Sequence, residues 1–311
     1  MQPELTIQIV GWNSAEHLKL SVAALAEIPA QSVIVRYIDN ASTDTSVAIV
    51  RAALPQADIV ELAENKGFAG AHNIGFSKCT TPFVLTHDPD VVLNWTGITE
   101  LLAAFTDEKV AAVQGKLLRS QEPNAIDSAG IVATLTLNGK ERGAGEADTN
   151  AYQQEEKLLA VTGACGMFRL SALRKIAGSG GEVFDADFFA YKEDVDVGWR
   201  LNNAGFSVQY LPVIAGTHAR TLGKRGSLPW FINPTEAPRR LTSPRTRYSI
   251  RNYIWMIAKN ASPLQLILHA PFIITRLLYI FLLTVLVPPL FSVWPETLRF
   301  LPKMLQKRVA V

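Results

Sequence analysis

The sequence predicts an α/β fold with a mostly parallel central sheet, followed by a helical C-terminal appendage. Three observations carry that expectation. Short apolar, β-branched runs alternate with helix-length runs through the first third of the chain, the pattern of βαβ units. Each early run ends in a polar cluster, and parallel sheets collect their ligands at the carboxyl ends of strands. The charge is also split along the chain. Residues 1–218 carry 16 Lys and Arg against 26 Asp and Glu, and residues 219–311 carry 14 against 2. Balances of −10 and +12 make up the net +2, which implies two environments for one chain.

The elements follow in order. Leu5–Val10 reads as a strand, and Ala15–Glu27 as a helix with Ser14 in the N-cap position. Ser32–Ile38 is a second strand, and Thr43–Leu54 a second helix stopped by Pro55. Ile59–Leu62, Ala69–Lys78 and Phe83–Thr86 continue the alternation. Ser120–Glu156 is rich in Gly, Asn and Glu, with weak periodicity, and reads as an irregular insertion that covers an acceptor. Val161–Arg169 reads as a strand whose small residues admit a neighbouring backbone or ligand. Glu193–Ala204 is a short helix closed by Gly205. Beyond it, Gly226–Arg247 reads as an extended Pro- and Arg-rich connector and Tyr248–Lys259 as an aromatic helix.

The last segment, Pro263–Trp294, is strongly apolar. Leu277–Trp294 has no charge over 18 residues but is broken by Pro288-Pro289, and a spanning helix needs about 20 apolar residues. The favoured expectation is an amphipathic or half-inserted anchor on anionic lipid, since the basic part is also the apolar part. That pairing argues against nucleic acid as a partner. The alternatives are a full span and a buried hairpin at a homodimer interface, which leaves a homo-oligomer open.

With 48% hydrophobic residues the chain can build a substantial core. Its two cysteines, Cys79 and Cys165, form no CxxC pair, so neither a disulfide framework nor a zinc site is expected, which suits a reducing compartment. The N-terminus shows no basic region followed by a long apolar stretch, so no secretory signal is expected. The expected division is a catalytic domain over 1–225, with a nucleotide half at 1–118 and an acceptor half at 119–225, and a membrane-association region over 226–311.

Chemistry concentrates at Asp88-Pro89-Asp90, between the apolar runs Phe83-Val84-Leu85 and Val91-Val92-Leu93. Two carboxylates at the end of a buried strand are costly unless a cation sits between them. A hard divalent cation, Mg²⁺ or Mn²⁺, holding a diphosphate is the natural occupant.

The ordered motifs resemble the inverting family 2 glycosyltransferases of GT-A fold, an αβα sandwich, and most of all their rhamnosyltransferase-type branch. The resemblance rests on Val10-Gly11-Trp12-Asn13-Ser14, Asp39-Asn40-Ala41-Ser42-Thr43-Asp44, the stretch Asn65 to Gly75, Asp88-Pro89-Asp90, Thr162-Gly163-Ala164, Phe189 to Asp196, Trp199-Arg200 and His218. It covers residues 5 to 220, with the tail matched only loosely. Each motif is short; their order gives the specificity.

The resemblance implies a role for each residue. Asp39 would accept the imide N–H of uracil or thymine, as an acceptor-only group suits a donor; its other reading is a turn or N-cap Asp, a job Asp44 fills equally. Trp12 and Asn13 would line base and ribose. Asn65, Gly67, Gly70 and Asn73 would bring backbone close to the nucleotide. Asp90 would ligate the metal, Asp88 would act at the metal or through the ribose, and His218 would complete the set. Asp194 would be the catalytic base of a single displacement, with Glu193 orienting the acceptor and Asp196 paired to Arg200 at i, i+4. Lys224 and Arg225, in Arg220–Ser227, would close over the diphosphate. Position 11 is Gly where members often carry Thr or Ser.

The implied activity is transfer of a sugar, L-rhamnose from dTDP-rhamnose by preference, to a lipid-linked or polysaccharide acceptor in cell-envelope glycan synthesis. The expected location is cytoplasmic, peripheral at the inner face of the cell membrane. A UDP-sugar hexosyl or galactofuranosyl transferase is the alternative donor reading. Nucleotidylyl transfer would want a Gly-rich, Arg- or Lys-bearing loop after the first strand, which Gly11-Trp12-Asn13-Ser14 is not. A non-catalytic sugar- or membrane-binding scaffold would have no need of Asp90 and Asp194.

Overall fold

The computed structural model describes residues 3–219 and 241–308. The expected Arg220–Ser227 loop, with Lys224 and Arg225, lies outside the described residues, as does the expected connector up to residue 240. The chain divides into two compact units. The first is Met1–Val132, Glu141–Phe189 and Glu193–Arg220; the second is Ala133–Lys140, Ala190–Lys192 and Thr221–Val311.

The first unit begins with the predicted alternation: β1 (Leu5–Gly11), α1 (Ala15–Ala26), β2 (Val33–Asp39), α2 (Ser46–Ala53), β3 (Asp58–Glu61), α3 (Gly67–Ser77) and β4 (Phe83–His87). Then come β5 (Val91–Leu93), α4 (Trp95–Ala103), β6 (Val110–Arg119), β7 (Glu122–Ser128), β8 (Ile131–Ala133), β9 (Gly139–Glu141), β10 (Glu156–Lys157), β11 (Met167–Arg169), α5 (Leu170–Ile176), α6 (Glu193–Asn203) and β12 (Ser207–His218). The sheet order is β10-β12-β6-β11-β4-β1-β2-β3, with β5 on β12 and β7 on β6. Strands β3, β2, β1 and β4 are mutually parallel, as are β6 and β12. Only β11 runs antiparallel between the two parallel groups.

Every residue of β1 is buried, as a central strand covered on both faces must be. Leu5, Ile7 and Ile9 join the core under α1, α2 and α4, with Leu18, Val22, Val50 and Ile98. The opposite face packs Val84, Phe168, Leu173, Phe184 and Leu201 beneath α3, α5 and α6. The result is three layers, with the parallel strand ends left to the loops.

Several local expectations are corrected. Ser14 makes no side-chain cap; Asp44 accepts the Ala15 N–H at 3.0 Å and the Ser46 N–H at 2.9 Å, so one carboxylate serves the starts of α1 and α2. Of Val161–Arg169 only Met167–Arg169 pairs as a strand. The rest folds back on itself at Gly166, where a Cβ would sit 2.4 Å from Val161 Cγ2. Arg245 and Arg247 are not in an extended connector but in the first turn of α7 (Pro244–Asn260).

The second unit comprises α7, α8 (Pro263–Leu286), α9 (Pro288–Phe291) and α10 (Val293–Gln306) with the two short insertions. Ser262 and Gln265 form a capping box at the start of α8. Trp255 of α7 donates its indole N–H to Thr297 O at 3.0 Å, and its ring meets Phe300 of α10. The Trp294 indole donates to Thr284 Oγ1 of α8 at 2.8 Å. Helix α8 is long and apolar enough to cross a membrane by length and composition, and only 11% of its most apolar window is buried. It begins well before the charge-free run read from sequence and ends at the expected proline pair.

Candidate active site

The carboxyl ends of β1, β2 and β3 are stitched together by backbone. Asn40 N–H donates to Gly11 O at 2.8 Å, and Leu62 N–H to Asp39 O at 2.9 Å. Above this edge Asn40 bridges two loops. Its amide donates to Asn65 Oδ1 at 3.0 Å and to Gly67 O at 3.1 Å, and its Oδ1 accepts Lys66 N–H at 2.8 Å. Asn65 Oδ1 also takes the Gly67 N–H at 2.8 Å. Gly67 itself has φ +70°, and a Cβ there would lie 2.4 Å from Phe189 O, so glycine is required on both counts. At Gly70 a Cβ would come within 2.9 Å of Lys66 Cβ.

Asp39 is buried. Its Oδ2 accepts Ser42 N–H at 2.9 Å, while Oδ1 makes no hydrogen bond of ordinary geometry. One oxygen shapes the turn and the other is left over, a state a buried acceptor tolerates poorly. Tyr37, two residues earlier on β2, is fully buried, and its hydroxyl pKa is raised by burial and by the Asp39 charge. A Cβ at Gly11 would stand 2.3 Å from that hydroxyl. Trp12, just past the end of β1, is 57% exposed. Asn13, at φ +49°, accepts Thr43 N–H at 2.8 Å and fastens the first loop to the second. The side chain of Asn73 is engaged elsewhere. Its Oδ1 accepts the Val183 and Phe184 N–H groups and its amide donates to Phe184 O at 2.7 Å, so its side chain supports the segment leading toward α6.

Asp88, Asp90 and His218 each present a ligand atom, all within 4.8 Å of one another. The antiparallel pairing of β5 with β12 sets His218 opposite Val91, and Ala219 N–H donates to Asp90 O at 2.9 Å. His218 Nε2 lies 3.1 Å from Asp90 Oδ1, and Nδ1 lies 2.8 Å from Asp127 Oδ2. Burial works against a charged ring here, but the hydrogen bonds to Asp127 and Asp90 prevail and raise the His218 pKa to about 10. Asp90 is lowered: burial opposes the shift, and His218 outweighs it. His87, at the end of β4, is fully buried with neither ring nitrogen hydrogen-bonded, and burial lowers its pKa to about 4. One nitrogen and two carboxylate oxygens suit Mn²⁺ or Mg²⁺.

Sequence reading missed Asp127. It is the extra residue of a β-bulge: Leu117 pairs with Ser128 and Leu118 with Ile126, leaving Asp127 between them. Such bulges re-aim a side chain, and no local sequence signal marks this one. Asn40 carries more of the loop architecture than its place in a turn motif suggested.

Asp194 lies in the first turn of α6. Its Oδ1 accepts Val195 N–H at 2.7 Å and its Oδ2 accepts Gly163 N–H at 3.3 Å. The helix dipole favours a carboxylate there. Glu193 beside it is buried. Asp196 is fully buried against Arg200, at 2.8 Å, and Arg200 also donates to Ile176 O and Val183 O, the structural pair expected from the i, i+4 spacing. Gly163 joins the parts. A Cβ on it would touch the Phe68 ring of α3 at 2.9 Å and Asp194 Cβ at 3.9 Å. The next residue, Ala164, accepts the Asp88 N–H at 2.9 Å. The two-residue segment Gly163-Ala164 thus connects the α3 loop, the Asp88–Asp90 pair and Asp194 within one unit.

The model of the family described as "Glycosyltransferase like family 2" matches residues 3–233. This chain belongs to glycosyltransferase family 2. It is 27% identical to the N-acetylglucosaminyl-diphospho-decaprenol L-rhamnosyltransferase of Mycobacterium tuberculosis over 234 residues, 68% of this chain and 75% of that one. It is 31% identical to the pre-mycofactocin glycosyltransferase of the same organism over 164 residues, 52% of this chain but 32% of the relative. Among solved structures, the mannosyltransferase PcManGT from Pyrobaculum calidifontis, in complex with GDP-Man and Mn²⁺, superposes with TM-score 0.57 at 15% identity, over 96% of this chain and 76% of that one. S. aureus TarS 1–349 in complex with UDP-GlcNAc gives 0.51 at 16% identity, over 84% and 68%. At these identities the likeness establishes the fold, the GT-A type. The family 2 enzyme is a glycosyltransferase.

Proposed function

We propose that this glycosyltransferase inverts configuration and moves L-rhamnose, from a thymidine-diphosphate donor, to a lipid-linked acceptor at the cytoplasmic face of a membrane. The observation that supports the reading is the Gly163-Ala164 junction: Gly163 N–H donates to Asp194 Oδ2, and the next residue accepts the N–H of Asp88, a member of the Asp88–Asp90–His218 cluster. The choice of sugar and of a lipid-linked acceptor rests on similarity to the mycobacterial rhamnosyltransferase across three quarters of its length. The membrane surface rests on the exposed apolar face of α8 and the +12 balance of residues 219–311.

Asp39 Oδ1, left without a donor, receives the imide N–H of the base. Trp12 and the Asn40–Asn65–Gly67 loop flank base and ribose. Asp88, Asp90 and His218 would hold the divalent cation, and Asp127 would fix the His218 ring through Nδ1. Bound there, the cation offsets the diphosphate charge and stabilises the leaving group. Asp194 accepts the proton of the acceptor hydroxyl as that oxygen bonds to the anomeric carbon. The bond from that carbon to the diphosphate oxygen breaks on the opposite side, so configuration inverts. Glu193 orients the acceptor. Residues 1–219 supply these groups.

The test is a donor screen: binding and hydrolysis with thymidine, uridine and guanosine diphosphate sugars, with and without Mg²⁺. Turnover of dTDP-rhamnose is expected. Preference for a uridine donor would transfer the assignment to a UDP-hexose, and no turnover of any donor would defeat the enzymatic site.

A further inference from the structure

We propose that Asn252, on α7, is a positioning residue for the catalytic carboxylate: it grips the strained backbone from which Glu193 and Asp194 emerge. The inference rests on Asp194 being the base.

Residues Ala190–Lys192 belong to the same compact unit as α7, although they sit in sequence between two parts of the other unit. Asn252 is fully buried. Its amide nitrogen donates to two successive carbonyls, Ala190 O at 2.9 Å and Tyr191 O at 2.7 Å, and its Oδ1 accepts Arg251 Nε–H at 3.0 Å. The backbone it holds is unusual. Phe189, Tyr191 and Lys192 have φ of +63°, +72° and +75°. None is glycine, and such conformations persist only where the surroundings over-determine them. Helix α6 starts at the next residue, Glu193, so the exit from Lys192 sets the direction of the first turn and of Asp194.

The chemistry explains the residue type. A single nitrogen carrying two hydrogens serves two carbonyls one residue apart, which Asp cannot do and Ser does only in part. Arg245, with its guanidinium 5.3 Å from the Tyr191 ring, braces the same segment. On the catalytic side, Ala69 N–H donates to Phe189 O at 3.1 Å. The run is thus held by Ala69 N–H at Phe189 and by Asn252 at Ala190 and Tyr191.

The test uses the full chain with Asn252→Asp, which removes both donors at constant shape, and Asn252→Ser, which keeps one and carries the test if the first fails to fold. Measured are kcat and KM for transfer, dTDP affinity, and amide hydrogen exchange. Expected are a fall in kcat of about 10–100-fold for Asp, since small misplacement of a reacting group costs that much, and a smaller fall for Ser. The dTDP affinity should stay within about two-fold, with faster exchange confined to residues 188–196. Unchanged kcat overturns the proposal, as does a loss accompanied by equal weakening of dTDP and faster exchange across the sheet. Asp194→Asn is run alongside: full turnover there defeats the base assignment, and the exchange at 188–196 then decides Asn252 separately, with no local acceleration counting against it.

Discussion

Loading the cluster at Asp88, Asp90 and His218 with a cation must expel a proton. The His218 ring nitrogens lie 2.8 Å from Asp127 and 3.1 Å from Asp90, and these carboxylates raise its pKa to about 10, which favours the ring protonated on both nitrogens when no cation is bound. At pH 8 such a ring is almost wholly protonated. An imidazole nitrogen cannot carry a hydrogen and bind a metal, so Nε2 must release its proton. Adding Mg²⁺ to chelator-stripped protein at pH 8 should therefore release close to one proton per ion. Calorimetry in two buffers of different ionisation enthalpy reads this directly. Asp127→Asn should release less, because the ring loses one of its two carboxylates, and His218→Gln should release none. Identical heats in the two buffers for the wild-type chain would refute the reasoning. The same group makes stability pH-dependent. Its folded pKa lies above the ordinary 6.5, so its stabilisation is complete below pH 6.5 and disappears as pH rises through about 10. Asp90 is depressed below 3.8, so its share is present above 3.8 and lost as pH falls through its lowered value. Denaturant titrations without metal should show the cluster contributing most between pH 3.8 and 6.5.

Asp194→Asn should keep dTDP binding and lose transfer by at least about 100-fold; wild-type turnover would remove it as base. Asp90→Ala should abolish the metal dependence of donor affinity, checked by dTDP titration with Mg²⁺ and with chelator. Gly67→Ala places a Cβ 2.4 Å from Phe189 O at φ +70°, and should lower stability by roughly 1–3 kcal/mol and weaken dTDP binding; an unchanged melting temperature would contradict the geometry. Ile267 and Phe281 are exposed on α8, and Ile267→Glu with Phe281→Glu should release the chain from anionic vesicles in a sedimentation assay.

The parallel half of the fold is legible in sequence because β1, β2 and β4 are largely buried and β1, β2 and β3 are each followed by a helix. The acidic pair was legible for the same reason: Asp88 and Asp90 interrupt apolar runs that pair as β4 and β5. Asp127 was not, because a bulge, rather than any pattern of residues, delivers it to His218. The structural use of the Asn73 side chain was not legible either: its amide reaches Val183 and Phe184, more than a hundred residues on. The small residues of Val161–Arg169 do admit close neighbours, as expected, but those neighbours turn the chain rather than extend a strand. Asn252 lies about sixty residues from the backbone it grips, inside a helix whose aromatic content pointed only to packing.

The contact between position 11 and the ring of Tyr37 has a consequence for descent within the family. A methyl group on residue 11 has nowhere to go while the phenol lies across it. A serine or threonine at position 11 therefore requires the Tyr37 side chain to shift or to be replaced by a smaller one. Exchanging residue 11 alone between this chain and a relative should fail, and exchanging the pair should succeed.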